Sequence, residues 1–301
     1  MQNTRSNRMR IAICSDAKNE ADDQFAIAHA LLTPSFDVRG MVAQHFGSPG
    51  SMEASFREIE HIRSLIPSAN HVPVLHGEPD MLGPIDALPD CEPSVKDFMS
   101  EGVRFLIEEA LHPDPRPLYV LCMGPLTDVA VALRARPEIA TRMTVIWVGG
   151  GRYPSGSHEA NLAHDLVAAR EVFATCVPLW QIPSKAYKTL AVPVAQLETE
   201  VRPRGALGAY LYDQLLTFME QNIDTKPWIN PESWVLGDQA AVGVLLAEQK
   251  ECYDEIPAPQ LDDGYRYLPA IDNSRTIRVY HDLNTRLVLD DLFAKLKLHA
   301  Q

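Results

Sequence analysis

Short apolar runs recur along the first two thirds of the chain, and polar or glycine-rich stretches separate them. The runs are rich in β-branched residues, and each has the length of a buried strand rather than of a helix. They cover residues 9–14, 37–43, 72–75, 118–122, 144–148 and 177–182. The pattern therefore predicts a series of short, buried strands.

Between these runs, apolar residues recur at the three- and four-residue spacing of amphipathic helices. These stretches cover residues 24–32, 51–66, 94–111, 126–135 and 165–175. Strands that alternate with helices in this way form a mostly parallel sheet with helices on both faces. We therefore predict an α/β fold.

The pattern changes after about residue 190, where helical spacing dominates over residues 205–221 and 238–249. A closing strand at 276–280 and a last helix at 286–298 follow. No low-complexity linker or internal repeat divides the chain, so we expect one domain over residues 1–301, with residues 1–8 flexible. Two proline-rich loops, at 78–93 and 224–233, are long enough to favour a functional role.

Composition narrows the possible partners. The 301 residues carry a formal net charge of -13, which argues against a nucleic-acid or anionic-membrane surface and favours a small-molecule or metal site.

The five cysteines form no CxxC pair, so we expect reduced core residues. The first apolar run is too short for a signal sequence or a spanning helix, and we expect a cytoplasmic protein.

Ligands of open α/β sheets bind beyond the carboxyl ends of the strands, and this rule selects particular loops. Polar and glycine-rich residues are concentrated in the loops at 15–23, 43–50, 123–128 and 149–161. We expect the functional residues there.

The first of these loops carries a cluster of acids. Asp16 ends the first predicted strand, and Asp22 and Asp23 precede a helix, where carboxylates are favoured by the helix dipole. A solvated helix start explains one or two acids, whereas three converging carboxylates require a cation, and oxygen ligands select calcium or magnesium. On spacing alone, both interpretations stay open.

Three further acids and an amide have candidate roles. Glu159 and Asn161 lie two residues apart and would point the same way if extended, which suits vicinal sugar hydroxyls, although a capped turn is the alternative. Asp165 is expected to be a helix N-cap. Asp238 also begins an apolar helix, and taken alone it favours an N-cap over a metal ligand.

Taken together, these positions resemble the inosine-uridine-preferring nucleoside hydrolase family. "CSDAKNEADD" is similar to the family's DxDxxxDD cluster, with Cys14 in place of the first Asp and two residues added before Asp22. "VPVLHGEPDML", "CMGPLTDVAVAL", "VGGGRYPSGSHEANLAHDLVAA" and "GDQAAV" resemble its later segments. The resemblance thus extends over most of the chain.

The resemblance implies a Rossmann-like sheet and calcium-dependent hydrolysis of the N-glycosidic bond of a ribonucleoside or related ribosyl compound. It implies a homodimer or homotetramer. It also implies site residues: Asp16, Asp23, Asp238 and the backbone carbonyl of Met123 as calcium ligands, Asp16 as the proton acceptor, and Asp22, Glu159 and Asn161 as sugar contacts.

The chain departs from the family pattern around the leaving group. Gly237 stands where the family commonly has a His or a Trp, so neither function carries over. The usual sugar-binding Asn of the second loop is not evident, and His45 or Gln44 is the candidate replacement. The candidates for leaving-group help are His45, His76, Trp228 and Trp234.

Two other functions compete with hydrolysis. The first is a protein that binds ribose or nucleosides through the same metal site without efficient turnover. The second, a phosphohydrolase, ranks lower because the sequence contains no P-loop and no DxD nucleophile pair at the first strand.

Overall fold

The structure, a computed structural model, describes residues 8–83, 99–271 and 274–301. Its main sheet has eight strands: β1 (Met9–Ser15), β2 (Phe36–Ala43), β3 (Val74–His76), β4 (Leu118–Cys122), β5 (Met143–Val148), β6 (Leu179–Ile182), β9 (Tyr253–Pro257) and β12 (Thr276–Tyr280). Their spatial order is β3-β2-β1-β4-β5-β6-β12-β9. Short strands also pair as β7 (Ala191–Pro193) with β8 (Ser233–Val235) and β10 (Gln260–Leu261) with β11 (Tyr267–Leu268).

The sheet is parallel except at one edge, where β9 runs antiparallel to β12. Cys14 in β1 pairs with Cys122 in β4, which in turn pairs with Trp147 in β5. These three strands therefore end at the same level. The chain order reverses between β1 and β4, which makes this position the topological switch point where α/β sheets bind ligands.

Helices cover both faces of the sheet. They are α1 (Asp23–Leu31), α2 (Ser51–Ser64), α3 (Glu101–Leu111), α4 (Thr127–Ala135), α5 (Ala160–His164), α6 (Leu166–Ala174), α7 (Ser184–Tyr187), α8 (Val194–Glu200), α9 (Gly205–Asn222), α10 (Gln239–Leu246) and α11 (Thr285–His299). Ile11 and Ile13 of β1 pack into one hydrophobic core, and Ala12 and Cys14 pack into the other. Successive residues of β1 thus face opposite sides, as the period of a strand requires.

The predicted fold class is confirmed. Each predicted strand and helix in the described residues has a counterpart, with boundaries that shift by a few residues. The helix predicted at 94–111 begins at Glu101, because Ser100 accepts a hydrogen bond from the Val103 N–H as its N-cap; residues 94–98 lie outside the described part. Asp165 caps α6 as predicted, through a bond from the Ala168 N–H.

Other expectations have mixed outcomes. Cys14 and Cys122 are buried free thiols, but Cys176 is exposed because it lies in the turn between α6 and β6, so the expectation of a core residue is wrong there.

Cys91, residues 1–7 and most of the 78–93 loop lie outside the described residues. None of the described helices is both long and apolar enough to cross a membrane.

Candidate active site

A polar cleft opens where β1, β4 and β5 end. The β1–α1 loop supplies one wall, the segments after β4 and β5 supply the floor, and the residues before α10 close the far side. The cleft is lined by Asp16, Asn19, Glu20, Asp22, Asp23, Met123, Val148, Glu159, Ala160, Asn161, Tyr187, Gly237 and Asp238. The predicted metal and sugar residues, with the exception of His45, are therefore brought together.

Three of the acids lie close together. Carboxylate oxygens of Asp22, Asp23 and Asp238 lie within 4.8 Å of one another. Ser15 Oγ donates to Asp23 Oδ1 at 2.5 Å, and the Asp238 N–H donates to Asp22 Oδ2 at 3.3 Å. This group overlaps the predicted ligand set at Asp23 and Asp238, and it adds Asp22, which had been expected to contact the sugar.

Asp16 lies in the same cleft with an oxygen that receives no donor. The residue is 1% exposed, and its Oδ2 has no hydrogen-bond partner among the described residues. Of the basic groups in residues 8–83, 99–271 and 274–301, the nearest is His164, whose Nδ1 lies 3.7 Å from that oxygen. Burial lowers the pKa of His164 to about 4, so its ring is neutral near pH 7 and supplies no compensating charge.

The electrostatics of the cluster favour a cation. Burial raises the pKa of Asp16 and of Asp238 well above the usual range, and neighbouring carboxylates raise both further. Burial also raises the pKa of Asp22 to about 6 and that of Asp23 to about 7. An all-oxygen donor set with an unpartnered buried oxygen matches calcium or magnesium, and a divalent cation would return these groups to the charged form.

Asn161 joins the ends of two strands. Its Nδ2 donates to the Met123 carbonyl at 2.8 Å and to the Val148 carbonyl at 2.9 Å. The Met123 N–H in turn donates to the Cys14 carbonyl at 2.8 Å. The amide nitrogen is therefore used to hold the floor of the cleft, which leaves Oδ1 of Asn161 as the amide atom available to a ligand.

The two carboxylate oxygens of Glu159 have different partners. Oε2 accepts from the Gly150 N–H at 2.7 Å and from the Leu162 N–H at 3.0 Å, which caps α5. Oε1 accepts from the Tyr187 hydroxyl at 3.2 Å. From the sequence, a capped turn and a sugar-binding carboxylate are alternative roles for Glu159. The structure shows that one residue can serve both, because each role uses a different oxygen.

His45 lies away from the cleft in a buried hydrogen-bond chain. Thr127 Oγ1 donates to Asp165 Oδ2 at 2.7 Å, so it accepts from His45 Nε2 at 2.8 Å. The Gly47 N–H donates to the other ring nitrogen at 3.2 Å. Both ring nitrogens are thus occupied, and a contact between His45 and substrate stays a prediction that this arrangement does not favour.

The other candidates for leaving-group help also lie outside the lining. His76 stacks on Phe56 with ring centroids 3.8 Å apart and pairs with Glu53 and Glu101. Trp234 is buried, whereas Trp228 is 52% exposed on the 224–233 loop. None of them is among the cleft-lining residues in the described part of the chain.

Sequence reasoning missed Tyr187. It follows β6 on the four-residue helix α7, and no motif distinguishes it from other tyrosines. The structure places its hydroxyl on Glu159 and its ring against Gly237. The one available signal was its position shortly after the carboxyl end of a central strand.

Comparison with known proteins identifies the family. The family model for inosine-uridine preferring nucleoside hydrolases matches residues 13–287. The chain belongs to that family. A relative named pyrimidine-specific ribonucleoside hydrolase RihA, from Citrobacter koseri, is 28% identical over 194 residues, which cover 57% of this chain and 59% of the relative. The match thus spans less than two thirds of that relative's length.

Two further proteins are similar to this chain, one in part of its sequence and one in fold. Pyrimidine-specific ribonucleoside hydrolase RihB from Escherichia coli is 31% identical over 141 residues, 44% of this chain and 43% of the relative. The structure of a purine-preferring ribonucleoside hydrolase from Gardnerella vaginalis superimposes with a TM-score of 0.75 at 19% identity, covering 97% of this chain and 99% of that chain. At this identity the likeness shows a shared nucleoside hydrolase fold.

Proposed function

We propose that this nucleoside hydrolase family member is a calcium-dependent ribonucleoside hydrolase that releases a free base and ribose. The observation that carries the proposal is the cluster of Asp22, Asp23 and Asp238 oxygens within 4.8 Å of one another, beside the unpartnered Asp16 oxygen. Glu159 and Asn161 line the same cleft. Family membership and this constellation together support N-glycosidic hydrolysis over the competing functions.

The cation is proposed to lie among Asp16, Asp23, Asp238 and the carbonyl of Met123, next to Asp22, whose oxygen lies within 4.8 Å of those of Asp23 and Asp238. When bound, calcium would lower the pKa of a neighbouring water and hold sugar hydroxyls. The Met123 carbonyl accepts one bond from Asn161, and it keeps a second lone pair for this purpose.

Asp16 is proposed to accept the proton of the attacking water. Asp16 lines the cleft, and its Oδ2 has no protein donor among the described residues, so that oxygen is left to bond to a water molecule. Because Asp16 directly follows β1, its backbone is held by the central sheet, and this limits the motion of the carboxylate.

The sugar is proposed to bind against Asp22, Glu159 and Asn161. Cleavage of the N-glycosidic bond develops positive charge on the sugar ring, and carboxylates fixed nearby stabilise that charge. Glu159 is fixed by backbone N–H groups on one oxygen and presents the other toward the cleft.

The cleft favours no single base class. Gly237 carries no side chain that could contact the base, and the relatives include proteins named as pyrimidine-specific and as purine-preferring. The substrate panel must therefore include both classes. A homodimer or homotetramer remains a prediction, as does the cytoplasmic location.

Base release by purified protein tests the proposal. Uridine, cytidine, inosine, adenosine and guanosine would each be incubated with the protein and calcium, and free base would be separated and quantified. We expect turnover of at least one nucleoside, and a decrease in kcat of about 10²- to 10⁴-fold in Asp16→Asn.

The matched control is Asp263→Asn, because Asp263 is an aspartate with a 96% exposed side chain that is not among the cleft-lining residues. Wild-type activity is expected in this variant. Equal activity of Asp16→Asn and wild type would contradict the role of Asp16. No turnover of any nucleoside, with calcium-dependent stabilisation by ribose, would instead support the binding protein.

A further inference from the structure

Tyr187 and Gly237 meet at the far side of the cleft. A Cβ atom at Gly237 would lie 2.9 Å from Cδ2 of the Tyr187 ring and 3.3 Å from Oδ2 of Asp22. The first of these distances is shorter than packed carbon atoms tolerate, so a side chain at position 237 requires the ring to move.

The two residues cannot separate easily because their backbones are tied together. Strands β7 and β8 pair antiparallel, with Ala191 opposite Val235. The Leu236 N–H also donates to the Leu190 carbonyl at 3.0 Å, one residue before Gly237 and three after Tyr187. The ring is held at its other end by the bond from its hydroxyl to Glu159 Oε1.

The hydroxyl of Tyr187 keeps its proton near neutral pH and therefore acts as a donor there. Burial raises its pKa well above the usual range, and the charges of Glu159, Glu20 and Asp22 raise it further. Tyr187 therefore donates to Glu159 Oε1, and this bond holds the direction of the carboxylate.

We infer that Tyr187 is a positioning residue for Glu159, and that position 237 is glycine because the Tyr187 ring occupies the space a side chain there would need. The kinetic part of this inference rests on the proposed function, whereas the steric part does not. The wall of the cleft beside Asp22 is thus formed by the Tyr187 side chain of α7 together with the backbone of Gly237 and Asp238.

A stability cycle tests the steric part without any substrate. Gly237 does not have a positive φ, so Gly237→Ala would ordinarily be neutral or slightly stabilising. In the wild-type background we expect Gly237→Ala to lower the thermal midpoint by about 3 °C, because overpacking costs stability. In the Tyr187→Ala background the same change should cost much less or nothing.

Tyr187→Phe supplies the matched background, since it removes the hydroxyl but keeps the ring. In the Tyr187→Phe background, Gly237→Ala should lower the thermal midpoint by as much as it does in the wild-type background. An equal penalty in the wild-type, Tyr187→Phe and Tyr187→Ala backgrounds would overturn the steric pairing, as would no penalty in the wild-type background.

Steady-state kinetics test the positioning part. We expect Tyr187→Phe to raise KM for the nucleoside about tenfold with a smaller change in kcat, because a charge-assisted hydrogen bond orients a group that contacts the sugar before and during the reaction. Tyr210→Phe is the control, since it also removes a tyrosine–glutamate bond, to Glu58, outside the cleft lining.

The failure of the positioning role and the failure of the proposed function give different results. Kinetic parameters of Tyr187→Phe equal to those of wild type and Tyr210→Phe would overturn the positioning role. A wild-type protein that hydrolyses no nucleoside would contradict the proposed function, and the stability cycle would still decide the steric pairing.

Discussion

Asp16 and Asp128 are both buried aspartates with raised pKa values, yet their surroundings differ. Asp128 receives hydrogen bonds from Gln44 Nε2 at 2.9 Å and from the Glu78 N–H at 2.7 Å, whereas Asp16 Oδ2 receives none from the described residues. The environment of Asp128 is that of a structural acid that holds loops behind the cleft. Of the two, Asp16 is the one with an oxygen left for a ligand or a proton.

Asp128 should make stability depend on pH in a defined direction. Burial raises its pKa to about 7 from an ordinary value of 3.8. Between these values the folded protein holds the proton more tightly than the unfolded chain does, so stability decreases as pH rises from about 4 to about 7. One such group contributes a slope of about 1.4 kcal/mol per pH unit within that window.

Urea unfolding of wild type and Asp128→Asn at several pH values between about 4.5 and about 7.5 measures this contribution. We expect a lower overall stability for the variant, since an amide nitrogen then faces a donor, but a shallower decrease with pH. The exposed Asp263→Asn should match wild type. Parallel curves for wild type and Asp128→Asn would show that Asp128 is ionised throughout.

At the scale of residues, the acidic residues of the cleft could be identified from the sequence, whereas the contacts of other candidate residues could not. Asp16, Asp22 and Asp23 were found because they crowd one loop after a strand. The burial of His45 could not be foreseen, because its partner Thr127 comes from a distant element. Tyr187 was missed because its role depends on the approach of Gly237, fifty residues further along the chain.

At the scale of elements, a buried histidine joins three helices. His29 of α1 places Nδ1 2.6 Å from Gln239 Oε1 of α10 and Nε2 2.8 Å from Asp291 Oδ2 of α11. Gln239 directly follows Asp238, one of the proposed cation ligands. The C-terminal helix is thereby connected to one wall of the cleft.

Removing Asp291 should therefore destabilise the protein. His29 is buried and loses its partner in Asp291→Ala, and Lys295 loses its salt bridge to the same carboxylate. We expect a decrease of about 2 kcal/mol in the free energy of unfolding, measured with urea. The neighbouring Asp290→Ala is the control, because Asp290 is exposed and pairs only with the exposed Arg286 among described residues, and should cost less than about 1 kcal/mol. Equal losses in the two variants would contradict this role of Asp291.

The longer helices and the central strands were predictable, whereas the short helices α5, α7 and α8 and the edge strand β9 were not. The central runs are apolar because both faces of a parallel sheet are covered. Strand β9 is mostly exposed, and its sequence "YDEIP" has no run of apolar residues, so its pairing with β12 has no signal in the pattern. The predicted helix continued upstream of the Ser100 cap because the apolar period does so in the sequence, and residues 94–98 lie outside the described part.

At the scale of the whole molecule, the sheet order brings distant loops to one point. The cleft combines residues from the β1–α1 loop, from the ends of β4 and β5, and from the segment before α10. The alternation of strands and helices predicts this convergence, because ligands of such sheets lie at the switch point. It does not predict which side chains face the space above the carboxylates, since that depends on how loops pack.

A calcium-dependent hydrolytic site formed by these carboxylates is the central proposal. The most direct test is the initial rate of base release from a nucleoside substrate by protein treated with excess chelator, followed by addition of calcium in excess of the chelator. We predict a rate close to background in chelator and recovery of full activity on calcium addition, with no recovery in Asp23→Asn. A full rate in excess chelator would contradict the proposal.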